Sequence, residues 1–341
     1  MGRRPPPLLL AAALLASCGT DGIQSISGRD GRDAQSIADL LALFSIVTAI
    51  FFAAVMLFLA AAWFRRRGQG QDGMPDEAGA SREPLLRTGL LVWIGAVTLG
   101  LTGLTLASYF TDRSMDHPVP AGKPALSVEI VANQWWWDVR YHFPDPTRNV
   151  RTANELHLPV GVPVFITLKS NDVIHSFWIP NLGGKQDLIP GRKNDLVLIP
   201  ERAGRYRGQC AEFCGLQHAH MALDVTVESR ADFARWLALS VAPAKPPATP
   251  LQQAGYDYIM KRECSACHMI AGTPASGQVA PDLTHMASRR SIAAGTLPMT
   301  RGHLYAWVAD PQGPKPGNAM PYIGLEPDEL HAVVAYLESL K

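Results

Sequence analysis

Cys210-Ala211-Glu212-Phe213-Cys214-Gly215-Leu216-Gln217-His218-Ala219-His220-Met221 places two thiols, imidazole and a thioether within twelve residues. Sulfur and imidazole form a soft donor set suited to copper. Cysteines four apart on a loop can bring both sulfurs to one centre. Each sulfur can bridge two copper ions, with His218 and Met221 completing the coordination. A Cys-x₃-Cys disulfide would leave the downstream His and Met unexplained, and zinc has little use for a thioether. The residues after the loop alternate, with Leu223, Val225 and Val227 on one side and Asp224 and Thr226 on the other. Val164, Ile166 and Leu168 repeat the pattern, and Ser127 to Val131 forms a third such segment. Turn signals such as Leu182-Gly183-Gly184 and Pro190-Gly191 separate the segments. Many short strands of this kind predict a β-sandwich or Greek-key barrel from about residue 124 to 236.

The chain has five cysteines, and disulfides would be their usual use in an exported protein. The arrangement argues otherwise. Cys264-Ser265-Ala266-Cys267-His268 is the attachment pattern for a covalent c-type haem, with His268 as proximal ligand. The sixth ligand would be Met or His. Met320 stands in Gly317-Asn318-Ala319-Met320-Pro321, ahead of a C-terminal helix, whereas Met260 and Met269 lie too close to the attachment motif. Met286 and Met299 remain as alternatives with a packing role. The segment 326–341 carries Leu330, Val333, Val334, Leu337 and Leu340 on one helical face, with Pro327 in its first turn. Residues 252–341 therefore read as a small all-α domain, of a size that commonly needs a cofactor to be stable. Ala242-Pro243-Ala244-Lys245-Pro246-Pro247-Ala248-Thr249-Pro250 sits within a linker spanning 237–251 and favours a semi-rigid extended form.

Arg3 and Arg4 followed by apolar residues 8–16 read as a secretory signal over residues 1–17. Leu15-Ala16-Ser17-Cys18 resembles a bacterial lipobox, which would make Cys18 a lipidation site. Two uncharged apolar runs, 40–64 and 88–110 within a hairpin of residues 38–110, each exceed the roughly 20 residues needed to cross a bilayer. Arg65, Arg66, Arg67, Arg82 and Arg87 lie between them, which places that loop in the cytoplasm and the rest outside. A net charge of +1 over 341 residues, with 18% charged, gives no footprint for nucleic acid.

The copper loop closely resembles that of cytochrome c oxidase subunit II, a family with a cupredoxin-like Greek-key β-barrel behind two transmembrane helices. The resemblance implies a binuclear CuA centre. It adds His175 from Val173-Ile174-His175-Ser176-Phe177 to Cys210, Cys214, His218 and Met221, and passes over His220. It gives Glu212 two roles: a backbone carbonyl on copper and a carboxylate on magnesium at the interface with subunit I. Gln134-Trp135-Trp136-Trp137 resembles the family's aromatic patch, in which Trp135 would take the position where electrons arrive. Trp136 and Trp137 read equally as core. Asp172 reads either as a partner of His175 or as a solvated acid. Residues 252–341 resemble class I cytochrome c, which implies Met320 as axial sulfur and a Pro281 carbonyl on His268.

Together the two halves resemble subunit II of caa3-type oxidases. That resemblance implies an electron-receiving subunit of a proton-pumping enzyme in the bacterial inner membrane, with O2 reduced in subunit I. Its partners would be subunit I, carrying haem a, haem a3 and CuB, subunit III, and cytochrome c or a quinol–cytochrome c reductase as donor. Tethering the cytochrome would raise its effective concentration to about the millimolar range. Glu83 matches an acid at a proton channel only weakly. His117, His142, His157, His285, His303 and His331 read as surface or packing residues. A CuA-carrying nitric oxide reductase subunit is the alternative, since it would use the same ligands. A one-copper chaperone would leave Met221 and the haem motif without a purpose, and nitrous oxide reductase would need a further domain.

Overall fold

The computed structural model describes residues 22–68, 83–117 and 126–341. The expected signal segment 1–17, Cys18 and most of the loop between the apolar runs lie outside the described residues. The chain divides into two compact units, residues 36–117 and the remainder.

The first unit is helical. Helix α1 spans Arg32–Gly68 and α2 spans Glu83–Ser114, so both run beyond the apolar stretches into polar flanks. Their most apolar windows have mean hydropathies of 2.7 and 2.0, and no residue of either window is buried. Apolar surface on every side suits a lipid surround rather than a water-soluble core. Ser45, Thr88 and Thr105 each donate a hydroxyl to the carbonyl four residues earlier, at 2.8 Å. That contact keeps the hydroxyls satisfied where water is absent. Phe51 and Trp93 pack edge to face at 5.4 Å, and Gly100 leaves room for the Phe51 ring.

The second unit holds the β domain and the small α domain in one body. Twelve strands are described: β1 (Ser127–Asn133), β2 (Trp136–His142), β3 (Val150–Ala153), β4 (Glu155–Pro159), β5 (Val164–Ser170), β6 (His175–Phe177), β7 (Gln186–Leu188), β8 (Asn194–Leu198), β9 (Gly204–Gln209), β10 (Ala222–Glu228), β11 (Ser291–Ile292) and β12 (Leu297–Pro298). A five-stranded sheet has the order β3-β2-β1-β5-β8, and a three-stranded one the order β4-β10-β9. Pairing is antiparallel except for β1 with β5 and β4 with β10. The period-two positions form the core: Val128, Ile130, Ile166, Leu168, Val225 and Val227 are all at most 2% exposed. Fully burying one such side chain contributes about 1.5–3 kcal/mol. Residues 22–32 lie along this domain, with Asn181 Nδ2 donating to buried Asp30 at 3.0 Å.

Helix α3 (Arg230–Ser240) starts at Ser229, whose hydroxyl accepts from the Asp232 N–H, and seals the barrel's end with Phe233 and Leu237. The Pro-rich stretch that follows does not hang free. Ala244 N–H donates to Ala271 O at 2.9 Å, His285 Nε2 bonds Ala242 O at 2.9 Å, and Gly272 packs beneath Pro243.

Helix α4 (Pro250–Lys261) is capped by Thr249, and α5 (Cys264–Cys267) is a single turn. Helices α6 (Arg301–Ala309) and α7 (Pro327–Leu337) complete the domain. Leu330, Val333, Val334, Leu337 and Leu340, the stripe expected from the sequence, are all buried. Helices α4 and α7 cross at backbone contact, because a Cβ on Gly255 would stand 2.0 Å from Ala332 O. The domain has the helical character expected, with the β11–β12 ladder and a Met269–Ser276 bridge added.

Candidate metal centres

Strand β9 delivers Cys210 and β10 receives the chain after Met221; a Cys210 N–H to Met221 O bond of 3.1 Å ties the loop's ends. The start of β6 supplies His175 from the neighbouring loop, fixed by Ala211 N–H donating to Ser176 O at 3.0 Å. The two thiol sulfurs lie 3.7 Å apart. That is well beyond the roughly 2.05 Å of a disulfide. His175 Nδ1 is 3.8 Å from Cys210 Sγ and His218 Nδ1 is 3.6 Å from Cys214 Sγ. Met221 Sδ is 3.9 Å from Cys214 Sγ, and Glu212 O is 3.3 Å from Cys210 Sγ. Two sulfurs thus sit centrally, with two imidazoles, a thioether and a carbonyl around them. His175, Cys210, Cys214 and Met221 are at most 2% exposed. The loop tip, Phe213 and Leu216, is 76% and 72% exposed.

The electrostatics favour a cation. The Cys214 thiol hydrogen bond holds Cys210 down to a pKa of about 3 against its burial, while the same proximity pushes Cys214 up. The pair thus favours one thiolate held by its neighbour's thiol. Burial works against a charged His175, but Asp172 and the Cys210 sulfur outweigh it and raise the pKa. Asp172 is indeed the partner of His175, with Oδ1 2.8 Å from Nε2. Such a contact sets the tautomer, leaving Nδ1 for the metal. His220 turns away and bonds Gln217 Oε1 at 2.7 Å.

The second site is a cavity of about 250 Å³ lined by Cys264, Cys267, His268 and Met320. His268 Nδ1 lies 2.7 Å from the Pro281 carbonyl, which can only accept, so Nδ1 carries the proton. Burial lowers the His268 pKa, which keeps the ring neutral. All four cysteines among the described residues are free thiols. Met286 also lines the cavity but is 4% exposed and part of the core, whereas Met320 is half-buried. A side chain on Gly277 would strike the backbone of Ala266 and Cys267. An apolar cleft edged by paired thiols and a fixed imidazole fits a covalent haem.

Trp135 and Trp136 also line this cavity, although they belong to the β domain. Trp135 Nε1 donates to Cys214 O at 2.9 Å, and Gln134 Nε2 donates to the same carbonyl at 2.7 Å. Gly215, with φ of +112°, turns the loop under this indole. Trp137 is core, 1% exposed, against His175 and Phe177.

Sequence reasoning did not find Lys315. It is 2% exposed and donates to the carbonyls of Trp135, His220 and Ala293, each at 2.8 Å. Burial pushes its pKa down to about 7, against an upward pull from Cys214. Its three acceptors favour the ammonium, which alone has three N–H groups to give. The only signal in the sequence is the rigid setting Pro314-Lys315-Pro316. His157, stacked on Trp236 at 4.2 Å, and His285 have packing roles, as expected. Glu83 is the exposed first residue of α2.

Residues 126–229 match the family model described as cytochrome c oxidase subunit II, periplasmic domain, and residues 253–341 match that for cytochrome c. Cytochrome c oxidase subunit 2 of Alkalihalophilus pseudofirmus is 30% identical over 339 residues, covering 98% of this chain and 96% of that protein. The chain belongs to the cytochrome c oxidase subunit II family. The subunit 2 of Bacillus sp. strain PS3 is 32% identical over 296 residues, covering 82% of this chain and 80% of the relative. The solved periplasmic domain of subunit II from Bradyrhizobium japonicum is 29% identical, covering 36% of this chain and 96% of that one, with a TM-score of 0.33. The subunit combines the copper-binding and cytochrome c domains in one chain, the caa3-type arrangement. It is a membrane protein and part of a haem-copper oxidase complex, so subunit I is its partner.

Proposed function

We propose that this subunit II takes electrons from cytochrome c, or from a quinol–cytochrome c reductase, and delivers them to haem a of subunit I for O2 reduction coupled to proton pumping. When bound, a covalent haem c and a binuclear CuA centre supply the one-electron chemistry. Cys264 and Cys267 would attach the haem, with His268 and Met320 on its iron. His175, Cys210, Cys214, His218, Met221 and the Glu212 carbonyl would hold the coppers. Methionine ligation raises a haem potential. The exposed Glu212 carboxylate suits magnesium at the subunit I interface, and subunit III would complete the complex. The chain would lie in the bacterial inner membrane as a multi-pass protein, lipidated on Cys18 after loss of residues 1–17, with both redox domains on the outer side.

One observation carries this reading: Trp135 lines the haem cavity while its indole N–H is bonded to the backbone of Cys214. One side chain thus spans the two donor sets. The test is metal analysis with EPR and optical spectra of the purified oxidase. Two coppers on this subunit, one covalent haem and the seven-line EPR pattern of a delocalised pair are expected. A single copper without delocalisation, or no copper here, would overturn the reading and leave a membrane-anchored cytochrome.

A further inference from the structure

We propose that Lys315 is a positioning residue that fixes the haem cavity against the copper loop, holding Trp135 as their common wall. This rests on the reading above that both sites are loaded. Lysine is almost never fully buried unless its charge is met by partners. Here the partners are three carbonyls from three segments: Trp135 in the β1–β2 turn, His220 in the copper loop and Ala293 in the β11–β12 turn. Lys315 itself comes from the loop that leads to Met320. One ammonium therefore joins the Trp135 turn, the copper loop, the floor of the haem domain and the segment bearing the axial sulfur.

Its neighbours extend the same seam. Pro314 and Pro316 restrict the backbone on both sides of the lysine. Gln217 Nε2, from within the copper loop, donates to Pro316 O at 2.8 Å. Gly317, with φ of +81°, lies against Leu216 and the Trp135 ring, where a Cβ would stand 3.3 Å from Leu216 and 3.6 Å from the indole. Ala222 N–H, the first residue after Met221, donates to Ala294 O at 3.0 Å. The haem-side loop and the copper loop thus meet backbone to backbone. Hydrophobic filling alone would not call for a charged group at the centre of that contact. Three directed donors fix distance and rotation together.

The test is Lys315→Met in the intact oxidase, a substitution that keeps most of the length and removes the donors. Both cofactors should load with wild-type spectra. Transfer from haem c to copper after photoreduction should slow about tenfold or more, since a misplacement of about 1 Å can cost as much as about 100-fold. The onward copper-to-haem a step should be unchanged. The kcat should fall with KM for cytochrome c unaltered, and oxidised haem should relax the copper EPR signal more weakly. Unchanged transfer and unchanged relaxation in a fully loaded variant would overturn the proposal and leave Lys315 a stabilising residue only. If Lys315→Met does not assemble, Gln217→Leu breaks the adjoining seam and should shift the same two readouts less; no shift there would also overturn it. A wild-type oxidase lacking either the copper or the haem signal would instead sink the functional reading on which this rests.

Discussion

Asp172 shows how a donor set depends on a neighbour that ligates nothing. Its Oδ1 faces His175 Nε2 at 2.8 Å and its Oδ2 accepts the Gln134 N–H at 2.6 Å. The same carboxylate therefore orients the His175 imidazole and anchors the turn bearing Trp135. Burial favours its neutral form, but His175 and two backbone N–H groups outweigh that and lower its pKa. In Asp172→Asn, copper affinity measured by chelator competition should drop about 10- to 100-fold, as for other partners of metal-bound histidines. Haem attachment should be untouched. At this scale the ligands were legible because Cys210, Cys214, His218 and Met221 lie close together along one loop. His175 needed the family resemblance, since no local spacing links it to the cysteines. Lys315 and Gln134 stayed invisible because their roles exist only where distant loops meet.

Secondary elements were legible where the pattern is periodic and obscure where two backbones touch. The stripe from Leu330 to Leu340 announced α7, and alternation announced β1, β5 and β10. Nothing announced that α4 would cross α7 at Gly255. Gly255→Ala sets two effects against each other: helix propensity would gain about 1 kcal/mol, and overpacking typically costs about 1–3 kcal/mol. A Cβ 2.0 Å from a carbonyl oxygen meets backbone that cannot rotate aside, so the cost should win. The expected result is a lower Tm of the cytochrome domain, followed by haem absorbance; a raised Tm would contradict the crossing. The apolar runs likewise revealed both long helices but not their ends, since helix continues through the polar flanks.

For the whole molecule, the Pro-rich stretch proves less of a tether than its composition suggests. Residues 242–244 are hydrogen-bonded to and packed on the cytochrome domain, and that domain is sewn to the β domain through Lys315, Gln217 and Ala222. A free tether would make effective concentration fall roughly as the −3/2 power of linker length. A docked domain would not. Doubling the stretch between Val241 and Thr249 with Gly and Ser should therefore leave haem-to-copper transfer unchanged, as read by flash photoreduction. A fall following the power law would restore the tether.

Trp135 is 8% exposed, and the cytochrome domain's Gly317 lies against its ring. If a soluble carrier were to approach this indole, as the proposed route would require of a bare copper-binding subunit, it would find the place taken. On the proposed route the two centres would therefore act in series. Damage to the haem domain that leaves it seated should then silence the oxidase outright, because the domain that would admit current also insulates the terminal behind it.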